Sequence, residues 1–301
     1  MKEKLVRSLC RAPLIKRQHI DLASLLCNPT RSMRKEFVTD FYGFRYAGSI
    51  NNFTDWCVYF FENFIESEMA LFRNVRSLCK RQGKPFICYD IGANSGYMSL
   101  AMASCADKVI AVEPFPRAHS ELIQRVKSNN IRHIKAFQVG LGEDDETITF
   151  DVISMINLIA KRTRFATNLA PLGTFNAKVI RGDDLMRNNR LDPPSLIRIN
   201  AGRDCLPILR GLAETLLNYS PAVLIDLPAN SARDTMPEEA LRAVLYEDAS
   251  LFSFQRTHDD KSFHLDTLRT HSRRIACFPK DMMRMAEQEL CKLQGARLYR
   301  P

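Results

Sequence analysis

The sequence predicts an α/β fold, Rossmann-like in layout: a seven-stranded, mostly parallel sheet with helices on both faces, preceded by a basic, partly helical N-terminal extension. Three observations carry this. From Pro85 onward, short apolar runs alternate with amphipathic stretches, the pattern of a parallel sheet covered on both sides. A glycine turn, Gly92-Ala93-Asn94-Ser95-Gly96, joins the first run to a helix, and an acid, Glu113, closes the next strand. The chain has 301 residues, 46% of them hydrophobic, enough for one such domain and a modest extension.

The elements follow in order. Residues 1–36 carry nine Lys and Arg against Glu3, Asp21 and Glu36, so +6 of the net +9 lies in this leader. It is expected to be a solvated, partly helical extension. The alternative is weak contact with an acidic membrane surface, ahead of nucleic acid, which is not the expected partner. Pro29 to Arg34 forms the joint. Residues 37–84 form a preamble packed on the core: Phe37 to Tyr46 alternates like strands, and Asn51 to Arg81 is mostly helical, with Trp56, Phe60, Phe61 and Phe64 as core aromatics. The domain proper is 85–301. Its strands are expected at Phe86 to Ile91, Lys108 to Val112, Ile131 to Val139, Ser195 to Asn200, Ala222 to Leu227, Leu251 to Arg256 and Arg274 to Phe278.

The helix from Tyr97 is apolar nearly all round and so buried. Pro116 opens the next helix, whose inner face is Leu122, Ile123 and Val126 and whose end suits Asn129-Asn130. Gly140-Leu141-Gly142 turns into an acidic hairpin, and 154–177 is irregular, either a cap over the site or a surface loop. A helix with Ile208, Leu209, Leu212 and Leu216 on one face follows the fourth strand, and another runs from Pro237 to Tyr246.

The glycine turn reads as a nucleotide-cofactor loop. Gly92 and Gly96 let the backbone turn sharply and approach a ligand. Glu113 can accept hydrogen bonds from both ribose hydroxyls of an adenosine. The spacing is G-x-x-x-G rather than G-x-G-x-x-G, and Asp90 stands two residues before the first glycine. An acid there repels a pyrophosphate and attracts the ammonium of a methionine moiety, which favours S-adenosyl-L-methionine over a nicotinamide dinucleotide. The expected cofactor residues are Asp90, Gly92, Ala93, Asn94, Ser95, Gly96, Tyr97, Glu113 and Pro114.

With Asp90-Ile91-Gly92-Ala93-Asn94-Ser95-Gly96-Tyr97 and Val112-Glu113-Pro114-Phe115-Pro116, the chain resembles the FkbM-type methyltransferases, a branch of the class I S-adenosylmethionine-dependent enzymes. The likeness runs from about Phe41 to about Met282 and takes in Phe41-Tyr42-Gly43-Phe44-Arg45-Tyr46-Ala47-Gly48, Arg181-Gly182-Asp183-Asp184-Leu185, Leu196 to Asn200, Leu209-Arg210-Gly211 and Pro221 to Asp226. It implies O-methyl transfer to a hydroxyl of a sugar, glycolipid or other small molecule. It also implies that the last strand runs antiparallel and that 257–273 crosses the carboxyl edge of the sheet.

The resemblance breaks at one place. Where the family has I-D-V-E-G-A-E, this chain reads Ile199-Asn200-Ala201-Gly202-Arg203-Asp204-Cys205, so Asn200, Gly202 and Cys205 stand for three acids. An alcohol acceptor must lose a proton. Asn200 can orient it, and the expected bases are His258, His264 or His271 in the rim segment, with Asp183 and Asp184 as fallbacks that also suit a helix start. The rival readings are a degenerate cofactor-binding pseudoenzyme and a nicotinamide-dependent oxidoreductase.

Nine scattered cysteines without a C-x-x-C pair point to reduced thiols in the cytoplasm and against a structural zinc; no metal is expected. No run of eighteen apolar residues suggests a transmembrane helix.

Overall fold

A computed structural model describes residues 6–8, 10, 23, 26–28, 35–62, 64–154, 159–162, 171–227, 236–257, 262–269 and 272–284. A hairpin of β1 (Glu36–Phe41) and β2 (Phe44–Ser49) leads into α1 (Phe53–Phe61) and α2 (Glu66–Arg81). Asn52 starts α1 by accepting the Asp55 amide on its side chain at 3.1 Å. Trp56, Phe60 and Phe61 are buried, as core aromatics should be.

The domain then alternates: β3 (Ile87–Ile91), α3 (Tyr97–Ala103), β4 (Lys108–Val112), α4 (Pro116–Ser128) and β5 (Ile134–Phe137). A second layer of strands follows, β6 (Gly140–Gly142), β7 (Glu146–Ser154), β8 (Ile159–Arg162) and β9 (Thr174–Arg181), in the order β6-β9-β7-β8. The expected hairpin after Gly142 is therefore part of a separate four-stranded sheet. After α5 (Gly182–Asn189) come β10 (Leu196–Ile199), a 3-10 turn (Gly202–Asp204), α6 (Cys205–Gly211), α7 (Ala213–Tyr219), β11 (Ala222–Asp226), α8 (Glu238–Arg242), β12 (Ala249–Arg256), β13 (Phe263–Thr267) and β14 (Arg274–Pro279).

The main sheet runs β13-β12-β14-β11-β10-β3-β4-β5. Strands β5, β4, β3, β10 and β11 are parallel, and β14 is antiparallel to both β11 and β12. This strand order, with one reversed strand beside the fifth, is that of the class I methyltransferase fold. The sheet has eight strands rather than seven because β13, inside the rim segment, adds itself antiparallel to β12.

Side chains alternate across the sheet. Cys88, Leu196 and Leu224 face a core shared with the hairpin and α1 to α4. Tyr89, Ile197 and Val223 face a second core under α5 to α8. Among the described residues no helix is long and apolar enough to cross a membrane.

Candidate functional site

The glycine turn sits at the carboxyl end of β3, beside the ends of β4 and β10. Gly92 and Gly96 have φ of +76° and +87°, and Asn94 joins them at +52°. The close approaches these glycines permit are to the protein itself. A Cβ on Gly92 would lie 2.2 Å from the Asn200 carbonyl oxygen, and one on Gly96 would lie 2.5 Å from Leu122 of α4.

Each amide from residue 92 to residue 96 is satisfied internally. Gly92 and Ala93 both donate to the Val112 carbonyl (2.9 and 3.1 Å), and Gly96 donates to Ala93 (3.0 Å). Asn94 donates to Glu113 Oε2 at 2.8 Å, and Ser95 donates to the Asn94 side-chain oxygen at 2.7 Å. The β4–α4 unit grips the turn at three successive residues: Glu113 takes the Asn94 amide, Arg125 Nη1 donates to the Ser95 carbonyl (2.5 Å), and Leu122 packs on Gly96.

Glu113 is buried just past the end of β4, and its second oxygen accepts the Phe115 amide at 2.8 Å. Burial pushes its carboxyl up to about 7, against the opposing pull of the Phe115 and Asn94 amides. Phe115, which opens α4, stacks on Phe175 at 5.1 Å, so the four-stranded sheet rests against this corner of the site. Pro114 between them is half-buried.

Asp90 differs from expectation. Its carboxylate is fully buried, with Oδ1 held by Arg198 Nη1 at 2.8 Å and Oδ2 by Ser99 Oγ at 2.5 Å. Its charge is met by a guanidinium from the adjacent strand rather than left open for an ammonium. Arg198 also donates from Nε to Asp226 Oδ2 (2.9 Å), Asp226 faces Arg274, and Arg274 and Arg256 both bind Glu68 of α2. The acids and arginines alternate along the carboxyl edge. Burial alone would raise Asp226, but Arg198 and Arg274 hold it below the ordinary carboxylate range. Tyr97 stacks on Phe64 at 5.9 Å, and burial raises its phenol although Arg198 nearby opposes this.

Asn200 is exposed just past the end of β10, and its amide donates to Ile91 at 2.9 Å. Cys205 is a buried thiol pushed up to about 12 by burial, donating to the Gly202 carbonyl. Of the three expected histidine bases, His264 alone lies within the described residues. His264 is exposed on β13, the outermost strand, five strand spacings from β3 or about 24 Å. His258 and His271 lie outside the described residues. Asp183 is buried and caps α7, accepting the amides of Glu214 and Thr215 (both 2.9 Å) and the Thr215 hydroxyl (2.6 Å), while Asp184 pairs with Arg187. Among the described residues no cluster of His, Cys, Asp and Glu could hold a metal ion.

Arg198, Ser99 and Arg125 were missed. A lone arginine in the apolar strand Leu196-Ile197-Arg198-Ile199 is a signal of a buried acidic partner. Arg125 lies between Leu122 and Val126 on the inner face of α4 and reads from sequence only as a surface charge.

The turn lies at the carboxyl edge of a sheet with the strand order of the class I methyltransferase fold. No protein-family model matches the chain, and no curated protein does. Solved structures similar to it include the methyltransferase FkbM from Methylobacillus flagellatus KT, at 15% identity and a TM-score of 0.41, covering 64% of this chain and 44% of that one. The match thus spans less than half of that protein's length. A SAM-dependent methyltransferase from Agrobacterium tumefaciens has 10% identity and a TM-score of 0.48, covering 83% and 72%. An O-methyltransferase from Bacillus cereus in complex with SAH has 12% identity and a TM-score of 0.39, covering 70% and 80%. Identities this low assign neither substrate nor activity.

Proposed function

We propose that this chain binds S-adenosyl-L-methionine and transfers its methyl group, at oxygen, to a hydroxyl of a sugar, glycolipid or other small molecule. One observation supports the cofactor above all: the amides of Gly92 to Gly96 are all engaged inside the protein. A dinucleotide's pyrophosphate is held by free amides of the glycine turn and the helix start, and the turn itself, from Gly92 to Gly96, has none to offer. An adenosyl group without phosphates needs acceptors for its ribose hydroxyls and surface for its base, but no free amides at the turn. Glu113 suits that demand. Its oxygens each accept one amide and keep further lone pairs, and a buried carboxylate raised to about 7 is short of donors that a ribose diol supplies.

When bound, the cofactor supplies a methyl group on a sulfonium. This chain's residues would do the rest. Glu113 would hold the ribose, with Pro114 and Phe115 beside it. The turn from Gly92 to Gly96, with Tyr97, would hold the remainder of the cofactor. Asp90 would tie β3 to β10 through Arg198 and to α3 through Ser99. Asn200, exposed beside Gly92, would orient the acceptor, because its side chain can both accept and donate a hydrogen bond. Alignment is the main contribution such a site makes to an in-line displacement.

A second reading is a cofactor-binding pseudoenzyme. It is favoured by the absence of a carboxylate at 200, 202 and 205, by the buried Cys205 thiol, and by the engagement of Asp183 in capping α7. Calorimetry with S-adenosylhomocysteine tests the cofactor, with NADH as the comparison. Micromolar affinity, about 8 kcal/mol at 1 μM, is expected for the first and none for the second. No binding of S-adenosylhomocysteine would sink the proposal. A broad acceptor screen separates the two readings, since tight binding with no methylated acceptor selects the pseudoenzyme.

A further inference from the structure

The upstream stretch Phe41 to Gly48 has no role in the site as described so far, yet it shares Arg125 with the glycine turn. We propose that Tyr46, Gly48 and Asp55 of the N-terminal hairpin and α1 form a positioning element for the cofactor turn, acting through Arg125. The proposal rests on the reading of residues 92–96 as a cofactor loop.

Arg125 is buried, and its guanidinium reaches three partners. Nη1 donates to the Ser95 carbonyl at 2.5 Å. Nη2 donates to Asp55 Oδ1 at 3.1 Å and to the Ala47 carbonyl at 3.2 Å. Its plane lies over the Tyr46 ring, 4.3 Å from the centroid. Asp55 is held in turn, taking the Tyr46 hydroxyl on Oδ1 at 2.7 Å and the Ser49 amide on Oδ2 at 2.9 Å. Gly48 is where this side chain needs room: a Cβ there would come within 2.7 Å of the Asp55 carboxyl carbon. A second contact fixes the same helix to the same strand, since the Asn129 side chain accepts the Arg45 amide at 2.7 Å and donates to its carbonyl at 2.9 Å.

The consequence for the turn is specific. The Ser95–Gly96 peptide is pinned at both ends, its carbonyl by Arg125 and its N–H by the Ala93 carbonyl at 3.0 Å. Gly96, at φ +87°, has no Cβ to restrict it, and the next residue begins α3. A guanidinium can span Ser95 and Asp55 at once because its donors form a rigid fork; an ammonium cannot.

Two measurements on the full chain test this. Hydrogen exchange of the peptide containing residues 92–97 reads the coupling directly, and calorimetric S-adenosylhomocysteine affinity reads its effect on the site. Arg125→Met should speed exchange there at least tenfold and raise Kd at least tenfold, with Arg125→Lys recovering part of both. Asp55→Asn, which keeps the shape and weakens the hold on Arg125, should shift both in the same direction, about threefold, and serves if Arg125→Met does not fold. Tyr246→Phe removes a buried hydrogen bond to the Pro221 carbonyl in the second core, away from this network, so it should lower Tm and leave both readings at wild-type values. Folded Arg125 and Asp55 variants with wild-type exchange at 92–97, or a Tyr246→Phe variant that changes it equally, would overturn the proposal. Altered exchange in a protein that binds no S-adenosylhomocysteine even as wild type would leave the coupling standing and remove the cofactor reading instead.

Discussion

Arg198 of β10 holds the carboxylate of Asp90 on the neighbouring strand, Nη1 to Oδ1 at 2.8 Å, and both side chains are sealed from solvent. The two residues are direct partners in the parallel register. A pair this deep adds little over apolar side chains while intact, and removing one partner is costly because the other charge stays buried. Arg198→Met should therefore lower unfolding free energy by about 3–5 kcal/mol, because Asp90 and Asp226 lose a counter-ion together. Asp90→Asn, which keeps its shape and leaves Arg198 its bond to Asp226, should lose less. Urea unfolding of both variants checks the order, and a loss under about 1 kcal/mol for Arg198→Met would show that the pair does not hold the strands.

Gly92 and Gly83 both have positive φ, +76° and +65°, but only Gly92 faces backbone where a Cβ would stand. Gly83→Ala should cost about 1–2 kcal/mol from conformation alone. Gly92→Ala must also push the Asn200 carbonyl away, so it should cost clearly more and abolish S-adenosylhomocysteine binding. Equal stability losses in the two variants would refute the steric account.

Glu113 gives the site a pH dependence. Its folded-state carboxyl is raised to about 7 by burial, so folding favours the protonated form. Relative to Glu113→Gln, the wild type should be most stable below pH 4.5 and lose up to roughly 3 kcal/mol as pH rises through 7. Cofactor binding should run the other way. Ribose hydroxyls donate to the carboxylate, so affinity should rise from pH 6 to pH 8 with release of a proton, measurable by calorimetry in buffers of different ionisation enthalpy. Glu113→Gln should flatten the pH response. A wild-type affinity that falls with rising pH would contradict the assigned role.

Asp183 and His264 separate structure from chemistry. Asp183→Ala removes the cap of α7 and should cost about 1–2 kcal/mol with cofactor affinity unchanged. His264→Ala should change neither stability beyond about 0.5 kcal/mol nor turnover once an acceptor is known. A large loss of turnover in His264→Ala would mean that β13 approaches the reacting atoms during the cycle.

The strands that position the site were legible because each is a short apolar run closed by a turn residue: Ile87 to Ile91 before Gly92, Lys108 to Val112 before Glu113, and Ala222 to Asp226 after Pro221. The reversal of Arg274 to Pro279 came from family resemblance, since direction leaves no mark on a strand's composition. Strand β13 was illegible for a physical reason. Phe263-His264-Leu265-Asp266-Thr267 lies at the sheet edge with no residue fully buried, so selection for an apolar face is weak there. In the site, the turn and Glu113 could be located from spacing, but what Asp90 binds is decided by register between strands more than a hundred residues apart, which local pattern does not encode.

The reach of Arg125 also sets an order of assembly. It lies 30 positions after Ser95 and 70 after Asp55, and it joins the two. A chain folding from its N-terminus during synthesis makes the hairpin, then the glycine turn, and holds both without their common brace until α4 has left the ribosome. The hairpin and the turn are thus made apart and joined afterwards, by a helix that follows both in sequence.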